Sequence, residues 1–133
     1  MAEKDKGTVL VVDDEADAVE FVRTALEEAG YEVAAASNAD EGLAIARTTQ
    51  PRLVIMDVQM PGKDGFTAFA EMRRDPRLRT IPVVMLTGVG GRLGISFSAQ
   101  QMGDFLGEEP AAYVEKPVDP GVLQQTVRDV LGG

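Results

Sequence analysis

The sequence predicts an α/β fold, a doubly wound sheet of five parallel strands with helices on both faces. Three observations lead there. Short apolar runs recur at residues 9–12, 53–56, 83–86 and 111–114, each bounded by polar residues. Runs of that kind read as strands buried on both faces of a parallel sheet. Amphipathic stretches alternate with them, and the 133-residue length suits one domain with its own core.

The elements follow in order. The first strand is Val9-Leu10-Val11-Val12, ending on Asp13-Asp14. A helix over about 16–29 carries Val19, Val22, Ala25, Leu26 and Ala29 at three-four spacing, with Gly30 placed to close it. Residues 31–35 form a short second strand. Ser37 or Asn38 can cap a second helix running to about Thr48, with Leu43, Ile45 and Ala46 inside. Pro51 closes that turn and the third strand ends on Asp57. Residues 60–65, Met-Pro-Gly-Lys-Asp-Gly, are a turn cluster. A third helix over 66–74 stops before Asp75-Pro76. Pro82 precedes the fourth strand, where a missing N–H is tolerated. Six glycines between 88 and 107 interrupt the next stretch, read as a loop, a short helix near 96–106 and another loop. The fifth strand ends at Glu115-Lys116-Pro117, and Asp119-Pro120 opens a last helix with Val122, Leu123, Val127, Val130 and Leu131 as its apolar stripe.

The strand ends carry the chemistry. In open α/β sheets the functional crevice lies at the carboxyl ends of the strands. Parallel strands would gather Asp13, Asp14, Asp57, Thr87 and Lys116 in one pocket. Each has a plain structural role open to it. The two aspartates can cap the first helix, Asp57 can accept turn amides, Thr87 can end a strand and Lys116 can be solvated. Together they suit a different task. Clustered carboxylates repel, and a hard cation such as Mg²⁺ relieves them. A strand-end carboxylate can attack phosphorus, and a hydroxyl, an ammonium and a cation can hold the equatorial oxygens.

Composition removes other classes. There are no cysteines and no histidines, which excludes disulfides, thiolate or imidazole zinc sites, Ser-His-Asp triads and a phosphohistidine carrier. A formal charge of −9 opposes direct nucleic acid binding. No apolar stretch is long enough to span a bilayer, and the first residues do not form a signal peptide, so a soluble cytoplasmic protein without membrane contact is expected.

Asp13-Asp14, then residues 56–65, then 81–88, then Lys116-Pro117 resemble the receiver domain of two-component response regulators, from about Thr8 to Leu131. The resemblance implies a flavodoxin-like sheet of order 2-1-3-4-5, in a single, stand-alone domain spanning residues 1–133. It implies that Asp57 accepts a phosphoryl group from a sensor histidine kinase or phosphotransfer protein. Asp14, Asp57 and the Gln59 carbonyl would ligate Mg²⁺, with Asp13 acting through water. Thr87 and Lys116 would hold the phosphoryl oxygens, Tyr113 would be the switch aromatic, and Gly88 the small residue after Thr87. It also implies a cis Lys116–Pro117 peptide. The function so implied is a phosphorylation-driven switch signalling to an unknown output protein by contact or phosphorelay. It is not an enzyme beyond its own phosphorylation and dephosphorylation.

One departure stands out. Thr87 and Lys116 lie 29 positions apart, longer than usual for receivers by roughly two helical turns. The excess falls in the Gly-rich residues 88–110. Other classes fit less well. A haloacid-dehalogenase-type phosphatase, also dependent on Mg²⁺ and an aspartyl phosphate, needs its nucleophile after the first strand and a second aspartate two residues on, where this chain has Glu15. A flavodoxin needs hydroxyls and glycines in the loop that here reads Asp13-Asp14-Glu15-Ala16-Asp17. A receiver-like module that binds partners without phosphorylation is the remaining alternative.

Overall fold

The apolar runs become the strands of one sheet in the computed structural model, which describes residues 6–88 and 110–132. The strands are β1 (Thr8–Val12), β2 (Glu32–Ala36), β3 (Leu53–Asp57), β4 (Val83–Thr87) and β5 (Ala112–Glu115). They pair in the order β2-β1-β3-β4-β5, all parallel. The helices among the described residues are α1 (Ala16–Glu28), α2 (Ala39–Thr49), α3 (Gly65–Arg74) and α4 (Pro120–Leu131). The short helix expected near 96–106 lies outside the described residues.

Period-two alternation along each strand divides the core. Val9, Val11, Leu53, Ile55, Val84 and Leu86 face one way and meet Val22, Leu26, Leu123 and Val127 of α1 and α4. Leu10, Val12, Val54, Met56, Val83 and Met85 face the other way and meet Leu43, Ala46, Phe69 and Met72 of α2 and α3. Successive strand side chains point to opposite faces, so a run apolar at every position demands cover on both. The two helix pairs supply it.

The caps are local and legible. Asn38, not Ser37, accepts the Glu41 N–H at 2.8 Å at the start of α2. Asp64 accepts the Thr67 N–H at 2.7 Å for α3, and Asp119 accepts the Val122 N–H at 2.8 Å for α4, with Pro120 at the first helical position. Each side-chain oxygen satisfies an amide that the helix leaves unpaired.

Two expectations and one alternative reading need correction. Strand β2 begins at Glu32 rather than Tyr31, because the Tyr31 N–H is used to close α1 on the Leu26 carbonyl, around Gly30 at φ 102°. Val122 is not on the buried stripe of α4. It is 54% exposed, one residue and about 100° round the helix from fully buried Leu123. Neither Asp13 nor Asp14 is the N-cap of α1. That position is Glu15, and its side chain makes no capping bond.

The register positions the site. Val12 pairs with Met56, Asp57 with Leu86, and Thr87 with Glu115. Asp13, Asp57, Thr87 and Lys116 therefore leave the sheet along one edge.

Candidate functional site

Asp13 follows β1 and is buried. Its Oδ1 accepts the Glu15 N–H at 2.9 Å and its Oδ2 lies 3.2 Å from Lys116 Nζ. Asp14 is exposed. Asp57, the last residue of β3, is also buried, and its Oδ1 lies 3.3 Å from the same Nζ. One carboxylate oxygen each from Asp13, Asp14 and Asp57 lies within 4.8 Å of the others. Thr87 ends β4 and is the third buried polar residue among those described, beside Asp13 and Asp57. Its carbonyl accepts the Lys116 N–H at 2.8 Å, which ties the lysine's backbone to the end of β4. The Lys116–Pro117 peptide is cis, as expected.

The structure thus brings together five of the seven residues singled out from sequence. Gln59 lies two residues beyond Asp57 on the loop leaving β3 and is exposed. Tyr113 pairs with Met85 across β4 and β5, and packs half-buried against the core beneath α2 and α3.

The electrostatics follow from burial. Asp57 is pushed up to about 6, first because burial penalises its charge and next because Asp13 repels it. Lys116 pulls the other way without prevailing. Burial opposes the charge on Lys116, yet Asp57 and Asp13 outweigh it and hold the ammonium above its ordinary range. One ammonium facing three carboxylates leaves a surplus of negative charge in a partly desolvated crevice. The ligand set is all hard oxygen, at close mutual range, with no imidazole or thiolate anywhere in the chain. A small hard divalent cation such as Mg²⁺ fits that set. Beside Lys116 a cavity of about 310 Å³ opens between α1 and the turn after β5, lined by Asp17, Phe21, Val22, Leu86, Pro117 and Val118.

Three contributors escaped the sequence reading. Glu15 Oε1 comes to 3.9 Å from Lys116 Nζ, and nothing in the residue spacing signals it. Gly65 reads in the sequence as a turn glycine of the 56–65 segment, not as a packing contact. A Cβ there would lie 2.3 Å from the Asp57 carbonyl oxygen and 3.0 Å from Val58 Cα, so only glycine lets α3 start against the end of β3. Lys63, in the same turn cluster, pairs with Asp40 and Glu71 at 2.7 Å each.

Known proteins share the sequence family and the fold. Residues 9–128 match the response regulator receiver domain. The chain is 38% identical over 133 residues to the probable transcriptional regulator ycf27 of Porphyra purpurea, covering 97% of this chain and 49% of that protein. It therefore spans about half the length of that relative. It is 33% identical over 127 residues to PilH of Pseudomonas aeruginosa, covering 94% of this chain and 98% of PilH. Among solved structures it resembles the chemotaxis protein CheY4 of Vibrio cholerae, with TM-score 0.79 and 31% identity over 92% of this chain and 97% of that one. It also resembles the signal receiver domain of a histidine kinase from Syntrophus aciditrophicus, with TM-score 0.78 and 31% identity over 96% and 91% of the two chains. A match over nearly its whole length, with the same fold, means that the chain belongs to the response regulator receiver domain family.

Proposed function

We propose that this receiver domain is switched by phosphorylation of Asp57. One observation carries the proposal. Asp57 is the buried carboxylate at the end of the central strand β3, with the Asp13 and Asp14 oxygens within 4.8 Å and the Lys116 ammonium at 3.3 Å. An Asp57 oxygen attacks phosphorus. The bond from phosphorus to the donor's nitrogen or oxygen breaks, and its electron pair leaves on the donor. The product is an acyl phosphate on Asp57.

The other residues position and neutralise. Lys116 exchanges its bond to Asp57 for a phosphoryl oxygen, and the Thr87 hydroxyl takes another. Asp14, Asp57 and the Gln59 carbonyl would hold Mg²⁺, with Asp13 acting through water, and the cation would supply charge neutralisation for the phosphoryl group. Asp13 keeps its hydrogen bond from Glu15 and its contact with Lys116, so it orients the lysine as well. Tyr113 reads the change by moving towards the Thr87 side when that hydroxyl is drawn inward. The later loss of phosphate is hydrolysis of the acyl bond by water, a self-limiting step rather than turnover of an external substrate.

The donor is a sensor histidine kinase or a phosphotransfer protein, the partner that membership of the receiver family implies. Output runs to a protein partner through contact or phosphorelay. A formal charge of −9 opposes direct nucleic acid binding. Among the described residues no helix is long and apolar enough to cross a membrane. A cytoplasmic location, where such kinases present their phosphohistidine, belongs to the same proposal.

Acetyl phosphate with Mg²⁺ tests it. The wild-type chain is expected to take one acid-stable, base-labile phosphoryl group. Asp57→Asn should take none, and Asp13→Asn should label about 10- to 100-fold more slowly, the usual loss on removing a group that orients a metal site. Labelling that survives Asp57→Asn and disappears in Asp13→Asn would move the nucleophile to the first strand.

A further inference from the structure

The loop between β3 and α3 carries Gln59, yet little of it is fixed by packing. Val58 and Met60 are buried, while Pro61, Gly62 and Asp64 are exposed. Buried side chains on either side of Gln59 set where the chain runs. They do not set where its carbonyl points, because ψ of Gln59 and φ of Met60 can counter-rotate with little displacement of either side chain. The direction of that carbonyl depends on how firmly the chain is held just downstream.

Lys63 is the residue placed to hold it. Its ammonium lies 2.7 Å from Asp40 Oδ1, in the first turn of α2, and 2.7 Å from Glu71 Oε2, in α3. Its side chain is only 25% exposed. The contact to Asp40 links the loop to a helix it does not lead into, across 23 positions of sequence. Among the described residues, backbone bonds secure only the ends of the loop, with the Val58 N–H on the Leu86 carbonyl and the Gly65 N–H on the Val58 carbonyl. We propose that Lys63, bridging Asp40 and Glu71, is a positioning residue that fixes the β3–α3 loop and with it the Gln59 carbonyl of the cation site. This rests on the reading of that site given under Proposed function.

The sign of one effect separates positioning from charge. Replacing Lys63 removes a positive charge from the loop that carries Gln59 and frees the Asp40 and Glu71 carboxylates, and through-space attraction alone would then tighten binding of a divalent cation. A lost clamp weakens it instead. The experiment is calorimetric titration with MgCl₂ of the wild-type chain, Lys63→Met and Lys63→Arg, together with amide exchange over residues 58–62 in EDTA. Lys63→Met is expected to raise the Mg²⁺ dissociation constant by about threefold or more, short of the roughly tenfold loss seen when a group that bonds a metal ligand is removed. Lys63→Arg, which can span both carboxylates, should restore it to within about twofold of wild type. Exchange over 58–62 should quicken in Lys63→Met, while the melting temperature in EDTA stays close to wild type because ion pairs to Asp40, 80% exposed, and Glu71, 35% exposed, add little to global stability. Unchanged or tighter Mg²⁺ binding in Lys63→Met overturns the proposal. A wild-type chain that takes up no Mg²⁺ overturns the reading of the site instead. The exchange measurement then decides the clamp alone, with faster exchange supporting it and unchanged exchange ending it.

Discussion

Asp57 and Asp75 are both aspartates near one end of an element, and their surroundings drive them in opposite directions. Asp57 is buried beside Asp13 and pushed up to about 6, whereas the Arg47 guanidinium hydrogen-bonded to Asp75 holds that carboxyl down at about 2. A carboxyl raised in the folded state binds its proton more tightly there than in the unfolded chain. Its stabilisation is complete below the ordinary value of 3.8 and is lost as pH rises through about 6. Solvent screening of the half-open crevice keeps the loss below the roughly 3 kcal/mol that a shift of this size would give in full. Asp75 acts in the lower window, with stabilisation present above 3.8 and lost as pH falls through about 2. Urea denaturation in EDTA should therefore show stability falling between pH 4 and pH 6.5, and Asp57→Asn should flatten that fall. A decline of the same size in Asp57→Asn would place its origin elsewhere. Residue identities at the site were legible in the sequence because each one ends or follows an apolar run. The partners Glu15 and Lys63 were not. Their contacts depend on side chains crossing from one element to another, which residue spacing along a single element does not encode.

At the scale of elements, the strands and caps were legible because their signals are local. Both-face apolar runs gave β1, β3 and β4, and Asp119-Pro120 gave the start of α4. The errors arose where two elements compete for one group. Tyr31 lost its place in β2 because its N–H closes α1, and Val122 left the core because α4 turns Leu123 inward. Close approach between elements was invisible in the same way. Gly65 reads as a turn residue, yet it is the point where α3 abuts the end of β3. Gly65→Ala should cost about 1–3 kcal/mol, since the new methyl meets backbone that cannot move aside without displacing Asp57. Gly88 gives the contrast. Among the described residues a Cβ there meets only the Gln59 Oε1, at the ordinary distance of 3.7 Å. Gly88→Ala should be neutral or stabilising by up to about 1 kcal/mol, through reduced freedom of the unfolded chain. Thermal melts of the two variants check the pair. Equal destabilisation by both would mean that the fit between α3 and β3 does not set the difference.

For the whole molecule, the sheet order and the clustering of its carboxyl ends turn five separated residues into one crevice. That crevice works against the fold when no cation is present, because like charges are held together at partial burial. Mg²⁺ at ten times its dissociation constant should stabilise by about 1.4 kcal/mol, a rise of roughly 3–6 °C in melting temperature for a domain of this size. Asp14→Ala should raise the melting temperature in EDTA by relieving the same repulsion, and should lose the response to Mg²⁺. A melting temperature indifferent to Mg²⁺ in the wild-type chain would contradict a cation site among Asp13, Asp14 and Asp57. The central claim concerns where the phosphoryl group goes, and chemical trapping reads that directly. Borohydride reduces an acyl phosphate on aspartate to homoserine, and peptide mass spectrometry then locates the changed position. After treatment with acetyl phosphate and Mg²⁺, homoserine is expected at position 57 and nowhere else. Homoserine at position 13 or 14, or none in a chain shown to be folded and to bind Mg²⁺, would contradict the account.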